Sequence, residues 1–311
     1  MIKNAIIYRA SGLPVVAVAL DEALASQQYH PASASQTGST GWAPPRGEAH
    51  GALVETVGGH WIARFVIETR TVPATAVVKR ADEMAAAIQR DTGRTPGKME
   101  MRDLRDAAWT ELLPHAFSRV KSVWVLLDHD RGRLVLDTTS QATADTVITS
   151  LVRALPQGFH VALLQTTIAP QARMATWLAD EDGHEVPRAF SLGTSADLCG
   201  LGEAAARVRF THHNLDTMEV REHIAQGKLP TLLELSYADR VAFTLTNQLQ
   251  LRRITLLDVA TAGADANAVD QFDADVALIT GELRLLIDAL VRELDGDCTS
   301  LPEDADAEVA P

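Results

Sequence analysis

The sequence predicts an α+β protein in which antiparallel sheets carry helices. Three stretches predict it. Residues 122–138 and 239–258, SVWVLLDHDRGRLVLDT and DRVAFTLTNQLQLRRITLLD, each read as two apolar, β-branched runs around a polar turn. Each is followed by a helical segment, ATADTVITSLVRALP and DADVALITGELRLLIDALVREL, so a hairpin-then-helix unit recurs as a weak internal repeat. Residues 51–74, GALVETVGGHWIARFVIETRTVPA, alternate in polarity around Gly58-Gly59, a pair suited to a tight hairpin turn. Hairpins next to segregated helices make an α+β fold rather than a parallel α/β one.

The remaining elements follow in chain order. IKNAIIYRA and VVAVAL read as strand-like apolar segments, and LDEALASQQY has helical spacing. His30 to Gly51, rich in Ser, Gly and Pro, reads as a polar loop holding Trp42 before Pro44-Pro45. From Val78, KRADEMAAAIQRD is a helix, TGRTPGK a turn, and MEMRDLRDAAWTELL a second helix ended by Pro114. Helices of this length each span roughly 18 to 23 Å at about 1.5 Å per residue, so the pair can project as a finger. Nine Lys and Arg lie between Lys79 and Lys121, with Arg90, Arg94, Lys98 and Arg102 near the tip. The predicted organisation is an α+β domain from 1–77 and 118–168, a helical finger at 78–117, an α+β domain at 169–296, and an acidic, disordered tail at 297–311.

Charge is distributed unevenly. The net charge is -13, but 14 acids against only Arg284 and Arg292 fall within residues 258–311, leaving 27 acids and 26 bases in 1–257. The bulk of the chain can therefore carry a cationic face despite an acidic total. Cys199 and Cys298 lack paired spacing, which points to a reducing cytoplasm and no disulfide framework or zinc site. Lys3, Arg9 and Pro14 interrupt the apolar N-terminal stretch, so no membrane span is expected.

No motif argues for catalysis. Gly200-Leu201-Gly202-Glu203-Ala204-Ala205 fits G-x-G-x-x-A, but no strand leads into it, as a dinucleotide site requires. Asp128-His129-Asp130 reads as a turn between strands, and His212-His213 with Cys199 or His184 lacks metal-site spacing, so neither a metal nor a cofactor is expected. His115 and Ser118 flank the junction LLPHAFSR, where a serine nucleophile would need a base and an orienting acid. Alternation along an emerging strand instead puts Phe117, Arg119 and Lys121 on one face, with Val123 and Val125 continuing toward the core. That pairing of an aromatic with cations is a contact surface.

KNAIIYR, GWAPPRG, LLPHAFSR, HIAQGK (His223 to Lys228), FDADVALITGEL and LIDAL, in that order, resemble the recombination-associated RdgC family. The resemblance implies a non-enzymatic homodimer closing into a ring around duplex DNA, with little sequence preference, limiting access of the RecA recombinase. Single-stranded DNA stays open as a further ligand. It implies a cytoplasmic, nucleoid-associated protein. By the resemblance Phe117 is a gate at a subunit contact and Lys228 a DNA contact. By the resemblance the family carries a lysine and a glutamine at His212 and His213, so two imidazoles stand where the family has a fixed charge. The expected DNA-binding set is Arg90, Arg94, Lys98, Arg119, Lys121, His212, His213 and Lys228. The alternative is a protein-interaction module using the finger and the acidic tail. Arg94→Ala and Lys98→Ala are expected to weaken DNA binding about equally, each removing roughly one unit of salt slope.

Overall fold

The computed structural model describes residues 2–48, 50–155, 158–181, 184–200, 206–258 and 271–301. They form an α+β fold with seven α-helices and antiparallel sheets. The chain divides into two compact units, Met1–Ser26, Pro44–Ala63 and Trp124–Pro311 in one, Gln27–Ala43 and Arg64–Val123 in the other.

The larger unit contains β1 (Ile6–Ser11) and α1 (Ala17–Ala25). VVAVAL, read as strand-like, instead enters α1 at Ala17 and leaves Val15 and Val16 outside it; apolar content without alternation does not fix a strand. The hairpin of β3 (Val54–Val57) with the start of β4 (His60–Arg70) turns at Gly58-Gly59, both at positive φ, as the sequence predicts. The unit takes in the end of β5 (Ser118–Asp128), which pairs with β6 (Arg133–Leu136). β6 pairs with β1, and β1 with β7 (His160–Leu163). α4 (Gln141–Ala154) follows β6, capped by the Ser140 hydroxyl.

A second sheet has the order β12 (Leu251–Leu256), β11 (Val241–Thr246), β10 (Leu229–Tyr237), β8 (Phe190–Cys199), β9 (Arg207–Phe210), all antiparallel. One face is apolar and packs against α5 (Pro170–Ala179) and α7 (Gln271–Glu293) in the main core. α7 buries Val276, Ile279, Leu283, Leu286, Ile287 and Leu290, a stripe at helical spacing. α6 (Met218–Ala225) lies between β9 and β10 in sequence.

Residues 297–301, placed by the sequence in an acidic tail, are instead bound into this unit. Asp297 accepts from Arg9 at 3.0 Å, Thr299 Oγ1 accepts from the Gln165 amide at 2.8 Å, and Leu301 is buried. The tail's remaining residues, and the G-x-G-x-x-A segment from Leu201 on, lie outside the described residues.

The smaller unit holds β2 (Gly38–Ala43), α2 (Ala74–Thr92), α3 (Lys98–Leu112), the end of β4 and the start of β5. The stretch read as an open loop thus contains a strand. β2 pairs with β4 from Gly38↔Thr69 to Ala43↔Arg64, and Trp42, fully buried, meets the Phe65 ring edge-on at 5.0 Å. Gly38, Ser39 and Gly41 hide this strand, because its order comes from its Val- and Ile-rich partner. Gly41 is required there: a Cβ would sit 2.6 Å from the Tyr29 backbone.

Candidate nucleic-acid interface

α2 begins after Pro73 and ends at Gly93, whose φ of 74° gives the left-handed cap that returns its N–H to the Gln89 carbonyl at 2.9 Å. α3 starts after Gly97 and ends before the Leu113–His115 turn that contains Pro114. Only Ala81 and Ala108 are fully buried on the two helices, small side chains that let them approach closely. Ion pairs support the pairing, Arg80 with Glu111 at 2.8 Å and Arg94 with Glu100.

These contacts sort the predicted cations. Arg94 donates through both Nη atoms to Glu100, at 2.6 and 2.7 Å, so its charge is already offset. The same bidentate bonds raise the Arg94 pKa and lower that of Glu100. Arg90 donates to the Ala86 carbonyl through Nε, leaving the rest of its guanidinium toward water. Lys98 and Arg102 are exposed and have no acidic partner among the described residues. Arg119 and Lys121 are likewise exposed, on the strand face that continues into buried Val123 and Val125.

Phe117 precedes β5 and is 95% exposed. Next to it Ser118 donates to Glu68 Oε1 at 2.6 Å. Glu68, only 4% exposed, also accepts from Tyr29 Oη and from the Ala32 amide on Oε2, each at 2.8 Å. The Ser118 bond first, then those from Ala32 and Tyr29, hold the Glu68 carboxyl down to about 2. Burial, with the bond to Glu68, pushes Tyr29 up to about 12. The hydroxyl of Ser118 is thus committed to a carboxylate rather than to His115. The network anchors the chain directly behind Phe117, and sequence reasoning missed it because its bonded partners are separated by as many as 50 residues.

In the larger unit, His213 and His223 lie against Phe210, ring centroids 5.3 and 6.0 Å apart. Lys228 Nζ donates to His223 Nδ1 at 3.1 Å and to Gln226 Oε1 at 2.9 Å. His213 Nε2 lies 3.8 Å from Glu219, while His212 is exposed with φ 52°. The structure therefore brings His213 and His223 onto one aromatic ring, with Lys228 bonded to His223. His223, three residues before Gln226 in HIAQGK, was not singled out in the sequence.

Of the candidate metal groups, Asp128 accepts from the Arg131 amide at 3.2 Å and lies 3.5 Å from Arg284, so it caps a turn. Among the described residues no group of three or more His, Cys, Asp or Glu is arranged to hold a metal, and no helix is long and apolar enough to cross a membrane.

A family model described as "Putative exonuclease, RdgC" matches residues 1–297. The chain belongs to the RdgC family. Among relatives, the recombination-associated protein RdgC of Dechloromonas aromatica is 35% identical over 283 residues, covering 89% of this chain and 91% of the relative. That of Herminiimonas arsenicoxydans is 35% identical over 299 residues, covering 95% and 98%. The Bordetella pertussis RdgC is 34% identical with the same coverage. The family match runs over residues 1–297, so it takes in residues of both units and every residue of the candidate interface.

Proposed function

We propose that this RdgC protein binds duplex DNA without sequence preference, as a homodimer closed into a ring, and limits access of RecA to the DNA it occupies. Family membership over residues 1–297 supports a role in recombination. The observation that carries the rest is Phe117. An aromatic side chain 95% exposed, on a segment braced by the Ser118–Glu68 hydrogen bond, is held ready for a partner surface. Burying it stabilises a contact by about 1.5 to 3 kcal/mol per subunit. In this reading Phe117 is the gate between subunits, Arg90, Lys98, Arg119, Lys121, His212, His213 and Lys228 face phosphate, and Arg94, expected from the sequence to join them, is taken up by Glu100. Non-specific binding of this kind comes from counterion release and needs no catalytic residue.

Phe117→Ala is the direct test. Its loss should weaken self-association measured by sedimentation and shorten retention on DNA, with the thermal midpoint unchanged. Wild-type self-association and retention in the variant would remove Phe117 from the gate. A protein-interaction reading draws on the apolar groove along α2 at Ala74, Val78 and Ala86. It predicts no retention on duplex DNA even at low salt.

A further inference from the structure

The second sheet has one face in the core and one face open, and the open face is shaped rather than flat. Across its end runs a cavity of about 590 Å³ lined by Asp197, Cys199, Arg207, Arg209, Thr231 and Arg252, among others. A smaller one of about 250 Å³ continues along the same face at Ser195, Thr244 and Arg253. The larger volume falls in the range of small-ligand sites.

The arginines reach this face through a break in the strand register. β11 and β12 pair Ala242↔Thr255 and Thr244↔Arg252, so two residues, Arg253 and Ile254, stand opposite Phe243. Arg253 occupies the left-handed region at φ 53°, which a long side chain avoids unless its surroundings hold it there. A regular strand would send consecutive arginines to opposite faces; the bulge lets Arg252 line one cavity and Arg253 the other. Arg209 is bound to Asp197 through two bonds of 2.7 and 2.8 Å. Arg207, Arg252 and Arg253 have no acidic partner among the described residues. Arg252 donates to Gln250 Oε1 at 3.0 Å, and its Nε is buried with no acceptor. A buried donor without an acceptor, beside Arg207 and the polar ends of Thr231, Asn247 and Gln248, fits an anion carrying hydrogen-bonding groups.

We infer that the larger cavity is a nucleoside-phosphate site, with phosphate held by Arg207 and Arg252, and sugar or base against Thr231, Asn247 and Gln248. The ligand class is a free nucleotide. The site goes beyond the duplex-encircling role and does not involve the finger.

Cys199 lines the cavity and Cys298 is exposed elsewhere on the same unit, so the two thiols provide a probe and an internal control. Alkylation of each by N-ethylmaleimide is followed by mass spectrometry in full-length protein, with dAMP and with a single-stranded dodecamer. Protection scales as 1 + [L]/Kd, so at twice Kd the Cys199 rate should fall about threefold while Cys298 is unchanged. Protection by dAMP is the expected result, and protection by the dodecamer alone would overturn the free-nucleotide site and leave the face as DNA-contacting surface. Arg252→Ala should abolish protection by dAMP, and Arg252→Lys should retain part of it. Unchanged Cys199 reactivity with dAMP, or full protection in Arg252→Ala, would overturn the site. Because duplex retention is scored separately, loss of the site with retention intact leaves the encircling role standing.

Discussion

Lys98→Ala and Arg94→Ala remove neighbouring cations, one at the first residue of α3 and one in the loop before it, yet their effects on DNA binding should differ. Arg94 is held by Glu100 through bonds of 2.6 and 2.7 Å, and the pair is neutral as a unit. Lys98, exposed and without an acidic partner among the described residues, is available to phosphate. Each phosphate contact contributes about 0.9 to the slope of log affinity against log salt. Lys98→Ala should therefore lower the slope by about 0.9, so that the affinity lost between roughly 50 and 200 mM salt shrinks about 3.5-fold. Arg94→Ala should leave the slope nearly unchanged, and Glu100→Gln, which frees Arg94, should steepen it by up to about 0.9. The assay is fluorescence anisotropy on one labelled duplex across a salt series at pH 7.5. Equal losses for Lys98→Ala and Arg94→Ala, or a flatter slope for Glu100→Gln, would refute this division of the finger's charge.

Three further outcomes follow from the same structure. Glu68, held at about 2 against an ordinary 4.5, contributes stability that is present above the ordinary carboxylate range and lost as pH falls from about 4.5 toward 2; Glu68→Gln should abolish that acid-side loss in urea melts. Trp42→Ala should destabilise by about 3 to 5 kcal/mol in chemical unfolding, since the indole is fully buried against Phe65. Truncation before Asp297 should lower the thermal midpoint, because Arg9 and the Gln165 amide lose their partners and the core loses Leu301.

Where periodicity was strong, the sequence was legible. The hairpin at Gly58-Gly59, the pairs β5–β6 and β11–β12, and the 23-residue α7 all follow from local alternation or helical spacing. β2 was not legible, since GSTGWA has few strand formers and is ordered by pairing with β4. Residues 155–237 carry β7, α5, β8, β9, α6 and β10 with no clear period, and their identity as elements comes from packing in the common core. The site divides the same way. Phe117, Arg119 and Lys121 could be placed from alternation beside a helix-ending proline. The Glu68 network, the Lys228–His223 bond and the bulge at Arg253 depend on distant partners or on one residue's dihedral, which no single-sequence pattern encodes.

The most direct test of encirclement compares one duplex in linear and in covalently closed circular form, with dissociation followed after a jump to high salt. A ring that slides leaves the linear form at its ends but must open to leave the circle. Complexes on the circle should outlast those on the linear form, and Phe117→Ala should erase the difference. Equal lifetimes on the two forms, with a normal salt slope, would contradict encirclement and leave only surface binding.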